Sequence, residues 1–267
     1  MLEVRGLTVA YRGRVVLDGV DLVVRAGELV GLIGPNAAGK STLLRAVAGT
    51  VPYTGRITVC GRNQRELSRT ELARLVAVVP QTPSLPPLFT VAEVVMLGRT
   101  PYLNWLGWEQ PQDWAAVGRA LELTELEALA DRPVGQLSGG ERQRAVIARA
   151  LAQEPKILLL DEPLNNLDIA HQVRVIRLVR RLTREQGLAA VLTAHDLTLV
   201  AQAADRVVLL DRGRVVAEGP PAAVVDRNII KEVYGTDVTV WPDPVTGRPV
   251  ALVRVGGPEE AAGDNSG

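Results

Sequence analysis

The sequence contains 267 residues, of which 47% are hydrophobic, enough for one large α/β domain or a domain with a subdomain. Its 30 Lys and Arg residues balance 30 Asp and Glu residues, so no net charge draws the chain toward nucleic acid or anionic lipid. The single cysteine, Cys60, excludes a disulfide framework within one chain and a cysteine-based metal site.

The N-terminal third of the chain is predicted to be mostly β-structure. Its first residues alternate between polar and apolar, so we expect no signal peptide. A glycine loop and a helix ending at Gly49 are expected after the third strand. The predicted strands cover residues 2–9, 14–24, 28–33, 56–60 and 75–79. No apolar run reaches the roughly 18 residues that span a bilayer, so another chain must supply any membrane pore.

From residue 91 the pattern becomes mainly helical and then alternates between strands and helices. Helical spacing covers 91–97, 114–130, 140–152 and 171–185, and buried-strand runs cover 157–160, 188–193 and 206–211. In the helix predicted at 171–185, the apolar face consists of Val175, Leu178, Val179 and Leu182. The arginines at 174, 177, 181 and 184 mostly lie away from that face, and we interpret them as a solvated surface rather than a binding stripe.

This alternation predicts an α/β fold with a mostly parallel sheet, an attached antiparallel β-subdomain and a helical subdomain. We expect one domain over residues 1–255. Its catalytic core and β-subdomain cover 1–90 and 151–220, the helical subdomain covers 91–150, and a C-terminal extension covers 221–255. The polar tail at 256–267 is rich in glycine, and we predict that it is disordered.

A phosphate-binding loop is predicted between the strand at 28–33 and the following helix. Residues 34–41 read GPNAAGKS and fit G-x-x-x-x-G-K-[ST]. Backbone N–H groups of such a loop form a positive concavity for phosphates, and a lysine adds charge at the β- and γ-phosphates. The serine hydroxyl can bind Mg²⁺, and the next threonine can reach the α-phosphate. The predicted nucleotide-binding residues here are Gly34, Pro35, Asn36, Ala37, Ala38, Gly39, Lys40, Ser41 and Thr42.

Two carboxylates follow the apolar run ILLL at residues 157–160. Ligands of α/β sheets bind at the carboxyl ends of the strands, so Asp161 and Glu162 are candidates for the reaction site. Because neighbouring strand residues point to opposite faces, we expect different roles for the two. We predict that Asp161 holds Mg²⁺ through water and that Glu162 orients or deprotonates the attacking water.

The string LSGGERQR at 137–144 resembles the signature sequence of ABC ATPases. Around it lie Gln81 in VVPQ, the segment ILLLDEP, NNLD at 165–168 and His195 in TAHD. The order and separation of these motifs resemble an ABC ATPase over about residues 1–220. The resemblance implies that ATP and Mg²⁺ are the cofactors.

The resemblance also implies roles for further residues. Tyr11 would stack on adenine, although it could instead pack on the small sheet. Gln81 would sense Mg²⁺ and the attacking water, and His195 would bind the γ-phosphate. Residues Ser138, Gly139 and Gly140 would contact the γ-phosphate held by a second copy of the chain, and Asp168 would lie at the junction of the subunits. Because Ser138 precedes a predicted helix, it would cap that helix at the phosphate.

Two positions depart from the family pattern, and one aromatic cluster stays ambiguous. Ala37 replaces the usual glycine, and a positive φ there would add strain of roughly 1 kcal/mol. Leu164 replaces the usual Thr or Ser, so a hydroxyl role there is in doubt. The cluster could pack inside the helical subdomain or dock a membrane partner; it contains Tyr102, Trp105, Trp108 and Trp114.

The segments FTVAEVVMLGRTPY at 89–102 and EVYGTDVTVWPDPVTGRPV at 232–250 resemble importer ATPases for iron–siderophore, haem and cobalamin uptake. This resemblance implies an ATP-hydrolysing homodimer on the cytoplasmic face of the membrane. Its partners would be a multi-span permease and, indirectly, an extracytoplasmic substrate-binding protein. Two alternatives are an importer ATPase for another small solute, such as a metal ion or oxyanion, and a non-transport ABC ATPase, such as an iron–sulfur assembly factor. No nucleic-acid partner is expected.

Overall fold

The computed structural model describes residues 1–105, 107–165 and 167–253, so the predicted disordered tail at 256–267 lies outside the described residues. The strands are β1 (Leu2–Tyr11), β2 (Arg14–Val24), β3 (Leu29–Ile33), β4 (Thr54–Val59), β5 (Arg62–Asn63), β6 (Val76–Val79), β7 (Ile157–Leu160), β8 (Ala189–Thr193), β9 (Arg206–Asp211), β10 (Arg214–Gly219), β11 (Val238–Pro242) and β12 (Pro249–Val253). The α-helices are α1 (Lys40–Val47), α2 (Arg69–Leu75), α3 (Val91–Met96), α4 (Pro111–Leu123), α5 (Gly139–Ala152), α6 (Ile169–Gln186), α7 (Leu197–Ala203), α8 (Pro221–Val224) and α9 (Arg227–Tyr234). Short 3-10 turns cover Gln64–Glu66, Leu97–Tyr102, Glu127–Leu129 and Val134–Gln136.

The main sheet has the strand order β10-β9-β3-β8-β7-β6, in which only the edge strand β10 pairs antiparallel within the described residues. All residues of β3, β7 and β8 are buried, because parallel strands are covered on both faces. Alternate residues enter two separate cores. Leu158 lies in the cluster formed with the helical subdomain, and Leu159 lies in the cluster beneath the antiparallel sheet. The predicted mostly parallel sheet is confirmed.

The antiparallel sheet has the strand order β2-β1-β4-β5 and packs over α1 and the main sheet. Leu2 pairs with Val24 on one side and with Val59 on the other, and all three side chains are buried. The strands alternate because one face covers this core and the other meets solvent. The predicted antiparallel β-subdomain is therefore confirmed.

The helical region contains α3, α4 and α5 and packs against the far face of the main sheet. The helix predicted at 114–130 is wrong at both ends, because α4 begins at Pro111 and ends at Leu123. The hydroxyl of Thr124 donates back to the Ala120 carbonyl, and Glu125 has a φ of 56°. A left-handed residue cannot continue an α-helix, so the chain turns there.

Helix α6 begins two residues earlier than predicted, at Ile169, because the carboxylate of Asp168 accepts the N–H of His171 and caps the helix. Its predicted apolar face is confirmed as buried. The C-terminal extension forms α8, α9 and the hairpin β11–β12, which packs on α7. Among the described residues, no helix combines the length and apolar character needed to cross a membrane.

Candidate nucleotide site

The phosphate loop connects the end of β3 to the start of α1 at the carboxyl edge of the main sheet. Gly34 and Gly39 have φ angles of 150° and 108°, and both lie against neighbouring atoms. A Cβ on Gly34 would lie 2.1 Å from the carbonyl oxygen of Leu210, so glycine is required there by sterics. Ala37 has a φ of 64°, which establishes the strained left-handed conformation that the sequence analysis considered.

Lys40 is buried within the loop that precedes it. Its ammonium donates to the carbonyl oxygens of Gly34 at 2.7 Å and Pro35 at 3.0 Å. Burial lowers the pKa of Lys40, and the carboxylates of Glu162 and Asp161 partly offset that effect. The loop therefore holds a positive charge beside two carboxylates, as a site for phosphate and a divalent cation requires.

Asp161 lies just beyond the end of β7 and receives two hydroxyl groups. Its Oδ1 atom accepts from Ser41 Oγ at 3.0 Å and from Thr193 Oγ1 at 3.0 Å. These oxygen donors beside the phosphate loop suit Mg²⁺, which prefers carboxylate, hydroxyl and phosphate ligands. In the part of the chain that the structure describes, no group of three or more His, Cys, Asp and Glu side chains could hold a metal.

Glu162 lies at the centre of the three residues predicted to be catalytic. Its side chain is 7% exposed and accepts hydrogen bonds from Gln81 Nε2 and from Asn165 Nδ2, the latter at 2.7 Å. His195 Nε2 lies 2.7 Å from the other carboxylate oxygen. Strand β7 ends at Leu160, before both acids. The prediction that alternation along this strand turns Asp161 and Glu162 to opposite faces is therefore wrong. Instead, a φ of 50° at Glu162 turns its side chain to a different set of partners.

A cavity of about 900 Å³ opens onto these groups. Of the predicted residues, it is lined by Asn36, Ala37, Ala38, Gly39, Lys40, Ser41, Thr42, Gln81, Glu162 and His195. Tyr11 is not in this lining. It is 39% exposed and pairs across the β1–β2 hairpin with Arg14, which does line the cavity.

Sequence analysis missed several residues of this site. Thr193 is fully buried, and its hydroxyl accepts the N–H of Glu162 at 2.8 Å while donating to Asp161. Its place as the last residue of β8, beside the end of β7, is the sequence signal that could have found it. The cavity is also lined by Arg14, Val15, Val16, Asn165, Asp211 and Arg212.

The signature residues lie elsewhere on the chain. Ser138 caps α5 by accepting the N–H of Glu141, whose carboxylate accepts the N–H of Ser138 in return. That backbone hydrogen bond is the main cause of the lowered pKa of Glu141. Ser138 and Gly139 are exposed, and neither they nor Gly140 line the cavity. The first residues of this helix therefore lie at the surface, although the N–H groups of Ser138 and Glu141 already have partners in the capping box.

Asp168 and the signature are joined by His171, a residue to which sequence analysis gave no role. The Asp168 carboxylate accepts the His171 backbone N–H at 2.8 Å, and that bond is the main cause of the lowered pKa of Asp168. The same carboxylate lies 2.8 Å from His171 Nδ1. A Cβ on Gly140 would lie 2.0 Å from the ring of His171, so only glycine allows this contact. The two motifs predicted for a subunit junction therefore contact each other through the ring of His171.

The aromatic cluster divides into packed and exposed members. The Tyr102 ring lies 3.8 Å from the Arg99 guanidinium, and its hydroxyl donates to the Gln153 carbonyl, so it packs within the helical region. Trp105, Trp108 and Trp114 are 92%, 67% and 46% exposed. Leu164, the other departure from the pattern, is buried in the core of the main sheet, where a hydroxyl has no predicted role.

Comparison with known proteins agrees with this geometry. The family described as ABC transporter matches residues 17–165 of this chain. The hemin import ATP-binding protein HmuV of Streptomyces coelicolor is 50% identical over 244 residues, which are 91% of this chain and 86% of that protein. The iron(3+)-hydroxamate import ATP-binding protein FhuC of Bacillus subtilis is 36% identical over 252 residues, which are 94% of each chain.

Two solved structures show the same fold. A chain of a metal-chelate type ABC transporter in an inward-facing conformation matches with a TM-score of 0.83 and 26% identity, covering 95% of this chain and 97% of that one. The dimeric bacterial ABC transporter cassette MJ0796 matches with a TM-score of 0.73 and 30% identity, covering 83% of this chain and 99% of that one. Together with the phosphate loop and the carboxylate pair, these matches show that the chain belongs to the ABC transporter family, as one of its ATP-binding, ATP-hydrolysing cassettes.

Proposed function

We propose that this chain hydrolyses ATP to power the import of an iron–siderophore, haem or cobalamin-type metal chelate through a separate membrane permease. The observation that carries the proposal is the similarity to the hemin import ATP-binding protein HmuV, with 50% sequence identity over 91% of this chain. The family model matches residues 17–165, whereas the similarity to the hemin importer ATPase covers 244 residues, so much of it lies outside the family match. The chain would act at the cytoplasmic face of the membrane.

Within one chain, the catalytic work would fall to Glu162 and the residues that hold it. Hydrogen bonds from Gln81 and Asn165 fix one carboxylate oxygen, and His195 lies beside the other. A carboxylate held in this way can orient water and accept its proton in line with the γ-phosphate, which His195 would also contact. Such positioning is the main protein contribution to phosphoryl transfer.

Phosphate and metal binding would use neighbouring groups on the same edge. Lys40 and the loop N–H groups from Gly34 to Thr42 would bind the phosphates, and Tyr11 would stack on adenine. Ser41, Asp161 and Gln81 would hold Mg²⁺, directly or through water. When bound, Mg²⁺ neutralises charge on the β- and γ-phosphates.

We further propose that two copies of the chain enclose two ATP molecules. The support is the exposure of Ser138 and Gly139, which lie outside the cavity formed by their own phosphate loop, with the buried Gly140 directly behind them. Asp168 would contact the partner copy at the same junction. The similar cassette MJ0796 is dimeric.

We assign the helical subdomain to residues 91–150, the catalytic core with the β-subdomain to 1–90 and 151–220, and the extension to 221–255. The permease would dock on the helical subdomain. The support is the exposure of Trp105 and Trp108, since aromatic side chains are enriched in interface cores. We expect Trp105→Ala and Trp108→Ala to keep ATP binding but to weaken co-purification with the permease. Unchanged co-purification of both variants, with Trp241→Ala as the matched exposed control, would contradict this surface.

Reconstitution with the permease tests the cargo. Uptake of hemin, a ferric siderophore and cobalamin into proteoliposomes would be compared with ATP inside, with the Glu162→Gln chain as the inactive control. We expect ATP-dependent accumulation of at least one chelate through the substrate-binding protein. Accumulation of a metal ion or oxyanion alone would favour a different importer class. Failure of the chain to co-purify with any multi-span protein would favour a non-transport ABC ATPase.

A further inference from the structure

A second cavity, about 440 Å³ in volume, lies in a groove between the end of α4, helix α5 and helix α6. We call it the arginine groove, because its charged lining consists of Arg144, Arg174, Arg177, Arg181 and Glu125. It does not share a lining residue with the nucleotide cavity. Four guanidinium groups therefore face one carboxylate in a concave surface whose function the nucleotide site does not explain.

The one carboxylate in this groove compensates little of the positive charge. Glu125 is 74% exposed at its side chain, and its oxygen lies 3.5 Å from Arg144 Nη1, at the limit of hydrogen bonding. A long contact with a carboxylate that is mostly in water contributes little. Within the described residues, Arg174 and Arg177 have no ion pair or hydrogen bond, and Arg181 donates only to the carbonyl of Leu123.

The spacing of the arginines on α6 makes this charge unfavourable without a counterion. Arg174 and Arg177 are three residues apart, and Arg177 and Arg181 are four apart, so neighbouring like charges lie on one strip of the helix. Like charges at these spacings destabilise an isolated helix. A purely solvated face, as sequence analysis interpreted this stripe, would have no reason to align with a fourth arginine from another helix.

Arg144 adds an observation of a different kind. It comes from α5, its side chain is 13% exposed, and its Nε atom is buried without a hydrogen-bond partner in the described part of the chain. A buried donor on a charged group that lacks an acceptor is unfavourable. An anion in the groove would draw this guanidinium toward an acceptor and satisfy it.

We propose that the arginine groove binds a small anion carrying two or more phosphate groups. Guanidinium groups bind phosphate oxygens through paired hydrogen bonds, and several of them on one concave wall match a polyphosphate better than a single charge. Such an anion would connect α5, which begins at the signature, to α6, which Asp168 caps. It would therefore join the two helices that present the predicted junction residues.

Inorganic pyrophosphate is a suitable probe, provided that the phosphate loop is disabled. We would titrate the Lys40→Ala chain with pyrophosphate in the absence of Mg²⁺ by calorimetry. In that background, Arg174→Gln with Arg177→Gln removes two groove charges. The matched control, Arg56→Gln with Arg184→Gln, removes two exposed charges outside the groove.

The groove variant should bind pyrophosphate at least about tenfold more weakly, as expected for losing two charge-assisted contacts, while the control changes less than about twofold. Binding should also weaken steeply with salt. In the chain with Lys40 intact, the groove variant should keep its ATP hydrolysis and should not lower the thermal unfolding midpoint, because neither arginine has an ion pair or hydrogen bond within the described residues and the like charges of α6 are reduced. No pyrophosphate binding in the Lys40→Ala background, or equal losses in both variants, would overturn the proposal.

Discussion

The phosphate-loop end and the signature end of this chain differ in how complete they are. At the phosphate loop, several segments that are distant in sequence meet around one cavity, and the Glu162 carboxylate contacts Gln81, Asn165 and His195. At the signature, Ser138 and Gly139 are exposed, and the local hydrogen bonds serve only to cap α5. One chain therefore builds a catalytic half whose side chains line an open cavity, and a signature half whose exposed residues Ser138 and Gly139 lie outside that cavity.

The rigidity of a binding surface and the number of ligand contacts that it supplies are therefore separate properties in this chain. The signature end is well ordered by the capping box and by the packing of Gly140 on the His171 ring. A rigid, exposed surface suits a ligand that is bound to another molecule, because a preorganised surface loses less conformational freedom when the two molecules associate.

The largest effect should come from Glu162→Gln, which keeps the shape of the side chain but removes its basicity. We expect hydrolysis to fall by about 10²- to 10⁴-fold, as for the loss of a general base, while ATP binding persists and traps the dimer. Phosphate release and sedimentation with ATP measure the two effects, with Glu66→Gln as an exposed control. Near-normal turnover would show that the phosphate-loop end does not contain the base assigned here.

The second prediction concerns the division of the site between two copies. Lys40→Ala disables the phosphate loop, and Ser138→Arg blocks the signature, so each homodimer should be inactive. In a mixed dimer, one of the two sites would combine an intact loop with an intact signature. Mixing the two variants should therefore restore roughly one quarter of normal hydrolysis, if random pairing and independent sites apply.

Steady-state ATPase assays over a range of mixing ratios measure this restoration, with each variant mixed with itself as the control. A maximum at equal amounts would support a shared site. No activity at any ratio, with mixed dimers demonstrated by tagged pull-down, would mean that the outward-facing signature does not complete the partner's site.

The phosphate-loop end is the part of the site that can be recognised from sequence, because its motifs are contiguous. The loop from Gly34 to Ser41 and the acids after β7 can be recognised from contiguous residues. Thr193 could not be recognised in that way, because its contacts with Asp161 and Glu162 arise from the pairing of β7 with β8. The contact of His171 with Gly140 was missed for the same reason, since it joins two segments that are distant in sequence.

The fold class was predictable from strand and helix periodicity, whereas element ends were not. The end of α4 depends on Thr124 and on the left-handed Glu125, neither of which carries a strong sequence signal for a helix end. For the hairpin of β11 and β12, the sequence predicts only a C-terminal extension. Its position depends on Arg248, which donates to three carbonyls at the end of α7, and no local pattern announces that contact.

The third prediction concerns Tyr11, the residue predicted to stack on adenine, which is not among the residues that line the cavity. If its ring stacks on adenine, Tyr11→Ala should weaken ATP binding by about 1–3 kcal/mol, whereas Tyr11→Phe should keep most of the affinity. Calorimetric titration with ATP would measure both. An unchanged affinity in the alanine variant would assign Tyr11 to packing on the small sheet and leave the adenine to Arg14 and its neighbours.

The smallest expected effect is at Ala37, where the phosphate loop holds an alanine at a φ of 64°. Ala37→Gly should relieve roughly 1–2 kcal/mol of left-handed strain. It also adds freedom to the unfolded chain, which costs about 0.4–1 kcal/mol, so the free energy of unfolding should rise by about 0.5 kcal/mol. Ala38→Gly is the matched control, because Ala38 is buried and its φ is not positive; that variant should lower the free energy of unfolding.

Denaturant unfolding of the two variants beside the unmodified chain measures this difference. A loss of stability in both would mean that Ala37 makes a compensating contact in the loop, and that the phosphate-loop end is not strained. A gain at Ala37 together with unchanged hydrolysis would show that the strain is tolerated rather than used. Hydrolysis at the phosphate-loop end would then depend on its side chains and not on backbone strain at residue 37.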